Sequence, residues 1–324
     1  MRFAIIGQSA EAVVLIESVR AAGSHQLGAC CVAGSLAAAI SERGIAFSQV
    51  ASPEEAIIDS GVEAVVVAEE DVDRSMSLAR QASQADCHVI VIPPDEVSTA
   101  YSFELHLLLD ESQYGIIPLT GHWYIDPDAA AGREMEKNIQ QLSMDLPLTE
   151  DAAELQRWQL RAVDALCGCG FEYTRITALD VPGPDGRLLS RSVTLAASDA
   201  ADARVPPGIL TFRKSPALHV FTPSGGEGES GTASSVQLLV TTTDGEEHSS
   251  ATALPDPAGS EYRSEDEALV MRLAAHLADR DQCQRHMEQF SNTLEMVAGL
   301  QKSLRRRRTV DVYFDGISER SAFK

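Results

Sequence analysis

The opening stretch, Met1 to Gly7 (MRFAIIG), constrains the fold more than any other part of the chain. A charged residue, an apolar run and a glycine read as a short buried parallel strand that ends in a tight turn. An amphipathic segment follows at once. Val13, Val14, Ile16 and Val19 repeat at helical spacing between Glu11 and Ala22, and Gly23 ends the run. Strand, glycine turn and helix open a βαβ unit, and in dinucleotide-binding proteins that turn carries glycine at its first, third and sixth positions. Here those positions are Gly7, Ser9 and Ala12, with Gln8 inside the turn. Ala12 is small enough to keep helix and strand close. Ser9 brings a Cβ to the point where the backbone would approach a pyrophosphate. Gly7, Gln8, Ser9 and Ala12 are therefore the candidate cofactor-binding positions, and only the first keeps its glycine.

The alternation of strands and helices continues. Leu27 to Ala33 reads as a strand, Leu36 to Arg43 as a helix closed by Gly44, and Ile45 to Phe47 as a short strand. Ser52-Pro53-Glu54-Glu55 combines a cap, a first-turn proline and a carboxylate that can reach back to the cap, so a helix starts there. Val62 to Ala68 and Cys87 to Ile92 are almost wholly apolar, the pattern of parallel strands buried on both faces. Helices at Asp71 to Ala85 and Glu96 to Leu109 flank the second of these, and Tyr114 to Leu119 reads as a sixth strand. This order predicts a doubly wound parallel sheet of the Rossmann type over residues 1–121.

From residue 122 onward the texture changes. Helical segments at Ala131 to Gln140 and Glu150 to Cys167 precede strand-like runs at Tyr173 to Leu179, Leu188 to Ala196, Gly208 to Phe212, Ala217 to Phe221, Val236 to Thr243 and Glu246 to Leu254. A long helical stretch, Ser264 to Leu304, breaks near Arg280-Asp281, and Thr309 to Phe314 reads as a last strand. Residues 122–324 are expected to form an α+β domain with a mostly antiparallel open sheet. The fold class is α/β with two domains.

A net charge of −22 opposes binding to nucleic acid and to anionic membranes. No stretch reaches the roughly 20 apolar residues of a membrane helix, and Glu11 and Glu17 interrupt the opening run too soon for a signal peptide. The six cysteines lie mostly in apolar strands and helices, and Cys167-Gly168-Cys169 lacks the spacing of a redox or zinc motif. A reducing, cytoplasmic setting is expected. No histidine pair has metal-ligand spacing with a carboxylate, so no metal site is expected.

In element order the chain resembles the glucose-fructose oxidoreductase, inositol dehydrogenase and MocA family. MRFAIIG, HQLGACCVAG, SPEEAIIDSGVEAVVVA, DCHVIVIPP, GHWYIDP, RAVDALCGCG and SNTLEMVAGLQKSLRRRRTVDV carry the resemblance. It implies a Rossmann domain followed by a substrate domain whose open sheet packs in homo-oligomers, NAD or NADP as cofactor, and a sugar-like or cyclitol-like polyol as ligand. Residue by residue the active positions depart from that pattern. The acid that ends strand two and binds the adenosine ribose is replaced by Val32, a loss of about 1.5–3 kcal/mol of charge-assisted hydrogen bonding. The lysine that closes strand five becomes Pro93, which has neither a titratable group nor an N–H, and only Pro94 is kept, as a fifth candidate cofactor-binding position. The family's helical histidine becomes Arg161, a poor general base, while the aspartate three residues on survives as Asp164.

Arg161 and Asp164 share one helical face and can pair with each other or contact a ligand. His122, Trp123 and Tyr124 can stack on a ring-shaped ligand or form a packing wedge between domains. Asp164, Arg161, Tyr124 and His122 are thus the candidate catalytic residues. Tyr101 and Glu104 could reach the same crevice, and His88 is expected to be a satisfied sheet-end histidine. Three functions stay open: hydride transfer with a rerouted proton path, a relative that has lost the redox step and serves as a sensor, regulatory subunit or assembly partner, or non-redox lyase or hydrolase work on a bound sugar.

Overall fold

A computed structural model describes residues 1–58, 61–124, 139–169, 171–184, 186–197, 205–213, 236–242, 247–254 and 267–314. Strands β1 (Arg2–Gly7), β2 (Gln26–Val32), β3 (Ser48–Gln49), β4 (Ala64–Ala68), β5 (His88–Val91) and β6 (Ile116–Pro118) form one parallel sheet. Its order is β3-β2-β1-β4-β5-β6. Chain direction across the sheet reverses between β1 and β4, so the crevice beyond their carboxyl ends is the place where such sheets bind ligands. Helices α1 (Ala12–Ala21), α2 (Gly34–Glu42), α3 (Pro53–Ile57), α4 (Val72–Gln84) and α5 (Thr99–Glu111) connect the strands.

Local chemistry explains these boundaries. Ser52 accepts a hydrogen bond from the Glu55 N–H at 3.3 Å, and the Glu55 carboxylate accepts one from Ala51 N–H at 3.1 Å, the reciprocal cap the sequence predicts. β1 and β4 are buried along almost their entire lengths, as two-sided strands must be. The third strand lies at Ser48–Gln49 rather than at Ile45 to Phe47. Ile45 is drawn into the core and its N–H closes the end of α2 on Ile40, which leaves it no ladder to join.

Beyond a short 3₁₀ turn (Gly121–Tyr124), the second half builds a mixed sheet of β7 (Ile139–Pro147), β8 (Arg175–Pro182), β9 (Leu188–Ala196), β10 (Gly208–Arg213), β11 (Val236–Thr242), β12 (Glu247–Leu254) and β13 (Val310–Asp311). The order is β12-β11-β7-β10-β9-β8-β13, antiparallel except where β10 runs parallel to β7. The periodicity reading does not predict β7, and extends a helix to Gln140, whereas Ile139 and Gln140 already belong to this strand. Residues 131–138 and the expected strand at 217–221 lie outside the described residues.

Helix α6 (Ala152–Gly168) packs against the 3₁₀ turn and against α8 (Arg280–Arg306), and α7 (Glu267–Leu277) lies on α1. The break between α7 and α8 falls at Ala278 and Asp279, whose side chain caps α8 through the Asp281 and Gln282 N–H groups. Along α8, Met287, Phe290, Leu294 and Val297 are buried as a continuous core stripe. That helix touches α5 and β6 on one side and β8 on the other, so it joins the two sheets through one apolar interface.

Candidate functional site

The site begins at the turn after β1. Gly7 adopts φ +134°, and a Cβ there would lie 2.2 Å from the Ala68 carbonyl oxygen at the end of β4, so only glycine fits. That carbonyl accepts the N–H groups of both Gln8 and Ser9, at 2.8 and 2.9 Å. The Ala12 and Val13 N–H groups turn back onto Ser9 and Ala10. Ser9 and Ala12 are buried, so the turn keeps its shape with serine at the third position.

At the mouth of α1 stands Glu11, the residue before the first helical turn. Its carboxylate is ion-paired with the Arg161 guanidinium, and both residues are 5% exposed. Arg161 comes from the middle of α6 and also lies over the Tyr124 ring, 5.9 Å from its centroid. One helical turn earlier, Arg157 pairs with Asp95 at 3.1 Å, in the loop that follows β5. Burial raises the Asp95 pKa, and the Arg157 charge opposes that rise. Two arginines spaced four apart on one face therefore clamp α6 onto the loops after β1 and β5.

The loops after β1, β2 and β4 also hold to one another. Val32 ends β2 without an acceptor, and the Gln8 side chain packs on Gly34, where a Cβ would lie 3.0 Å from Gln8 Cβ. The Ser35 hydroxyl and the Leu36 N–H both donate to the Gln8 carbonyl, at 2.6 and 2.9 Å. Glu69, just past β4, is 2% exposed and pairs with Arg74 at 2.9 Å. Burial pushes the Glu69 pKa up, with Arg74 pulling against it. Pro93 and Pro94 end β5, the second of them buried.

Asp164 turns to a different partner from the one its helical spacing suggests. It is fully buried, and its Oδ2 accepts from the His122 backbone N–H and from His122 Nδ1, each at 2.7 Å. Its Oδ1 accepts from Gln289 Nε2 at 3.2 Å and from the Thr293 hydroxyl at 3.0 Å. Burial alone would raise this carboxyl, but the facing His122 and the converging hydrogen bonds hold it below the ordinary range. The 3₁₀ turn is seated by two glycine contacts. A Cβ at Gly121 would lie 1.9 Å from the Arg161 carbonyl oxygen, and one at Gly168 would lie 2.4 Å from His122 Cβ.

Sequence reasoning does not find the next two members of this cluster. His122 Nε2 lies 3.1 Å from His286 Nδ1, and His286 Nε2 lies 2.7 Å from His276 Nδ1. The indole of Trp123, itself 2% exposed, packs against all three imidazoles. His276 and His286 sit on separate helices, so no sequence interval advertises their meeting. Trp123 and Tyr124 are buried as a wedge. Tyr101 is buried on Ser75 and Glu104 pairs with Arg80, so both are engaged within the first half of the chain. His88 accepts the Gly115 N–H at 2.9 Å, the sheet-end role expected of it. Among the described residues no group of histidine, cysteine and carboxylate side chains could hold a metal ion, and no helix is long and apolar enough to cross a membrane.

No protein-family model matches the chain, and no curated protein matches it. Solved structures do. A protein from Sinorhizobium meliloti 1021, described provisionally as a myo-inositol dehydrogenase, superposes with a TM-score of 0.70 at 12% identity, covering 97% of this chain and 100% of that one. An oxidoreductase from Agrobacterium radiobacter, solved with NAD+, L-tartaric acid and magnesium, gives 0.63 at 14% identity, over 96% and 98% of the two chains. An oxidoreductase from Sinorhizobium meliloti gives 0.62 at 18% identity, over 96% and 99%.

Proposed function

The chain has the two-domain fold of the glucose-fructose oxidoreductase, inositol dehydrogenase and MocA proteins, and from that premise we propose that it is a non-redox relative. In this reading the nucleotide crevice is held shut by the chain's own side chains, and the protein serves as a binding or regulatory subunit. The observation that carries it is the Glu11–Arg161 pair at the first turn of α1. In this fold that helix end is where a pyrophosphate gathers N–H groups and a positive dipole end. Here a buried carboxylate holds the place. Its one arginine neutralises it and leaves no net positive charge for a dinucleotide.

The remaining residues do not fit NAD or NADP either. Val32 offers the ribose hydroxyls no acceptor, Gln8 covers the end of β2, and Pro93 stands where a lysine would meet the nicotinamide side. Asp164 is fully buried, and both of its oxygens are turned to groups of this chain. Isothermal titration of the full-length protein with NAD, NADH, NADP and NADPH tests this reading. No binding at millimolar concentration is expected, and micromolar binding of any of the four overturns it.

A second reading, hydride transfer on a sugar-like or cyclitol-like polyol, is favoured by the 2.7 Å contact between His122 and Asp164, an acid–base pair of the kind that step needs. The same titration separates the two. Both readings accommodate a homo-oligomer formed through the seven-stranded sheet, where Leu179 and Val181 stand exposed on the outer face of β8.

A further inference from the structure

We infer that Asp164, His122, His286 and His276 form a single protonation unit, with its solvent port at His276 and its charge store at His122. The inference rests on hydrogen-bond directions and stands whether or not the crevice takes a nucleotide.

The directions follow from one fixed point. Ionised Asp164 can only accept, so His122 Nδ1 must carry a hydrogen. When His122 is neutral, its Nε2 is a lone pair, and His286 Nδ1, 3.1 Å away, must then be the donor. His286 Nε2 is left as an acceptor, so His276 Nδ1, at 2.7 Å, carries the next hydrogen. All three rings are then Nδ1–H tautomers, and the one lone pair left over is His276 Nε2. His276 is partly exposed, while His286 is buried and Trp123 lies against the rings.

A proton bound at that lone pair can move inward without any ring turning. His276 gives its Nδ1 hydrogen to His286 Nε2, and His286 gives its own Nδ1 hydrogen to His122 Nε2. His276 and His286 end neutral with hydrogen on Nε2, and His122 ends as an imidazolium against Asp164. One proton has entered and one positive charge has appeared, two rings inward from His276. The charged groups around the unit favour that resting place. His276 feels Arg272 on α7, Arg285 on α8 and the opposing charge of Asp279, while His286 feels Arg285, the two flanking imidazoles and, opposing them, Asp164. Among the described residues, only His122 of the three has a carboxylate in direct contact. The charge therefore settles where the 3₁₀ turn meets α6, one helical turn from Arg161, at the seam between the two halves of the molecule.

Histidine-selective ¹⁵N labelling of the full-length protein, followed by two-bond ring correlation spectra from about pH 5 to 8, tests the unit. The expected result is one shared midpoint at which His276 and His286 switch from the Nδ1–H to the Nε2–H tautomer while His122 becomes doubly protonated. His276→Gln, at the exposed end, is expected to abolish the His286 switch and to shift the His122 midpoint. Separate midpoints for the three rings, a His286 tautomer that never changes, or a His122 titration unaffected by His276→Gln would each overturn the inference. Should the variant fold poorly, the wild-type spectra alone decide it.

Discussion

The carboxylate of Glu11 and the guanidinium of Arg161 meet under cover of both halves of the chain, far apart in sequence and almost without solvent. A buried pair of this kind contributes little net stability against an apolar substitute, but breaking it from one side strands a charge. Arg161→Ala is therefore expected to destabilise the protein by about 3–5 kcal/mol. The double change Glu11→Gln with Arg161→Met should recover most of that loss. Urea unfolding of wild type, Glu11→Gln, Arg161→Met and the double variant closes a double-mutant cycle that measures the coupling, and an additive cycle would contradict a direct pair.

The outer pair is a different case. Arg157 and Asp95 each keep about a fifth of their side-chain surface exposed, 21% and 23%. Arg157→Ala should then cost no more than about 1 kcal/mol. Chemical denaturation of this variant beside Arg161→Ala is expected to separate the two clamps by their burial alone.

Stability should fall as the solution is acidified through the range of His286. Burial, reinforced by His122 and His276, pushes its pKa from 6.5 down to about 3 in the folded protein. Between those values the unfolded chain binds the extra proton and the native chain does not, so stability is lost as pH falls. From pH 6.5 to 5 the loss is about 2 kcal/mol at this site. Asp164 acts in the same direction but lower: its carboxyl is depressed in the native state, so its contribution is present above the unfolded aspartate value and disappears beneath it. Urea midpoints at several pH values, for wild type and His286→Gln, check the first window. The variant should show a shallower slope between pH 6.5 and 5 than wild type, because His276, His25 and His88, also lowered by burial, still contribute.

Gly121 is expected to tolerate no side chain. A Cβ 1.9 Å from the Arg161 carbonyl oxygen meets backbone, which cannot swing away as a flexible side chain would. Gly121→Ala should cost about 3 kcal/mol or more and should weaken the His122–Asp164 contact together with it. A lowered thermal midpoint with a changed His122 ring spectrum is the outcome that supports this. An unchanged melting curve would count against the packing described.

If copies of the chain associate through the large sheet, replacing Leu179 and Val181 by glutamate should yield a monomer with an unaltered far-ultraviolet circular dichroism spectrum. Sedimentation velocity before and after the change reads the answer directly.

Much of the architecture can be read from local pattern. Gly7, the cap at Ser52 and the apolar strands at β4 and β5 each state their role within a few residues. The alternation of Leu142, Met144 and Leu146 belongs to β7, but a helical reading carried on to Gln140 hides where that strand begins. Side-chain partnership is less legible. Spacing places Arg161 and Asp164 on one helical face and invites a pair between them, yet each finds its partner on another element. Long side chains are directed by what lies across an interface, and the facing residues Glu11 and His122 are distant in sequence. In the sequence Glu11 only interrupts an apolar run, and its burial against Arg161 appears in the fold alone. Nothing in the sequence joins His276 to His286 or either of them to His122.

The paired arginines on α6 also bear on how such a chain can change over evolutionary time. Replacing Arg161 alone leaves Glu11 bare, and replacing Glu11 alone leaves a stranded cation, while Arg157 and Asp95 still tie the helix down. A descendant regaining an open crevice would have to cross intermediates less stable than either endpoint. The double clamp works as a ratchet: losing either member of the buried pair alone costs more than exchanging both together.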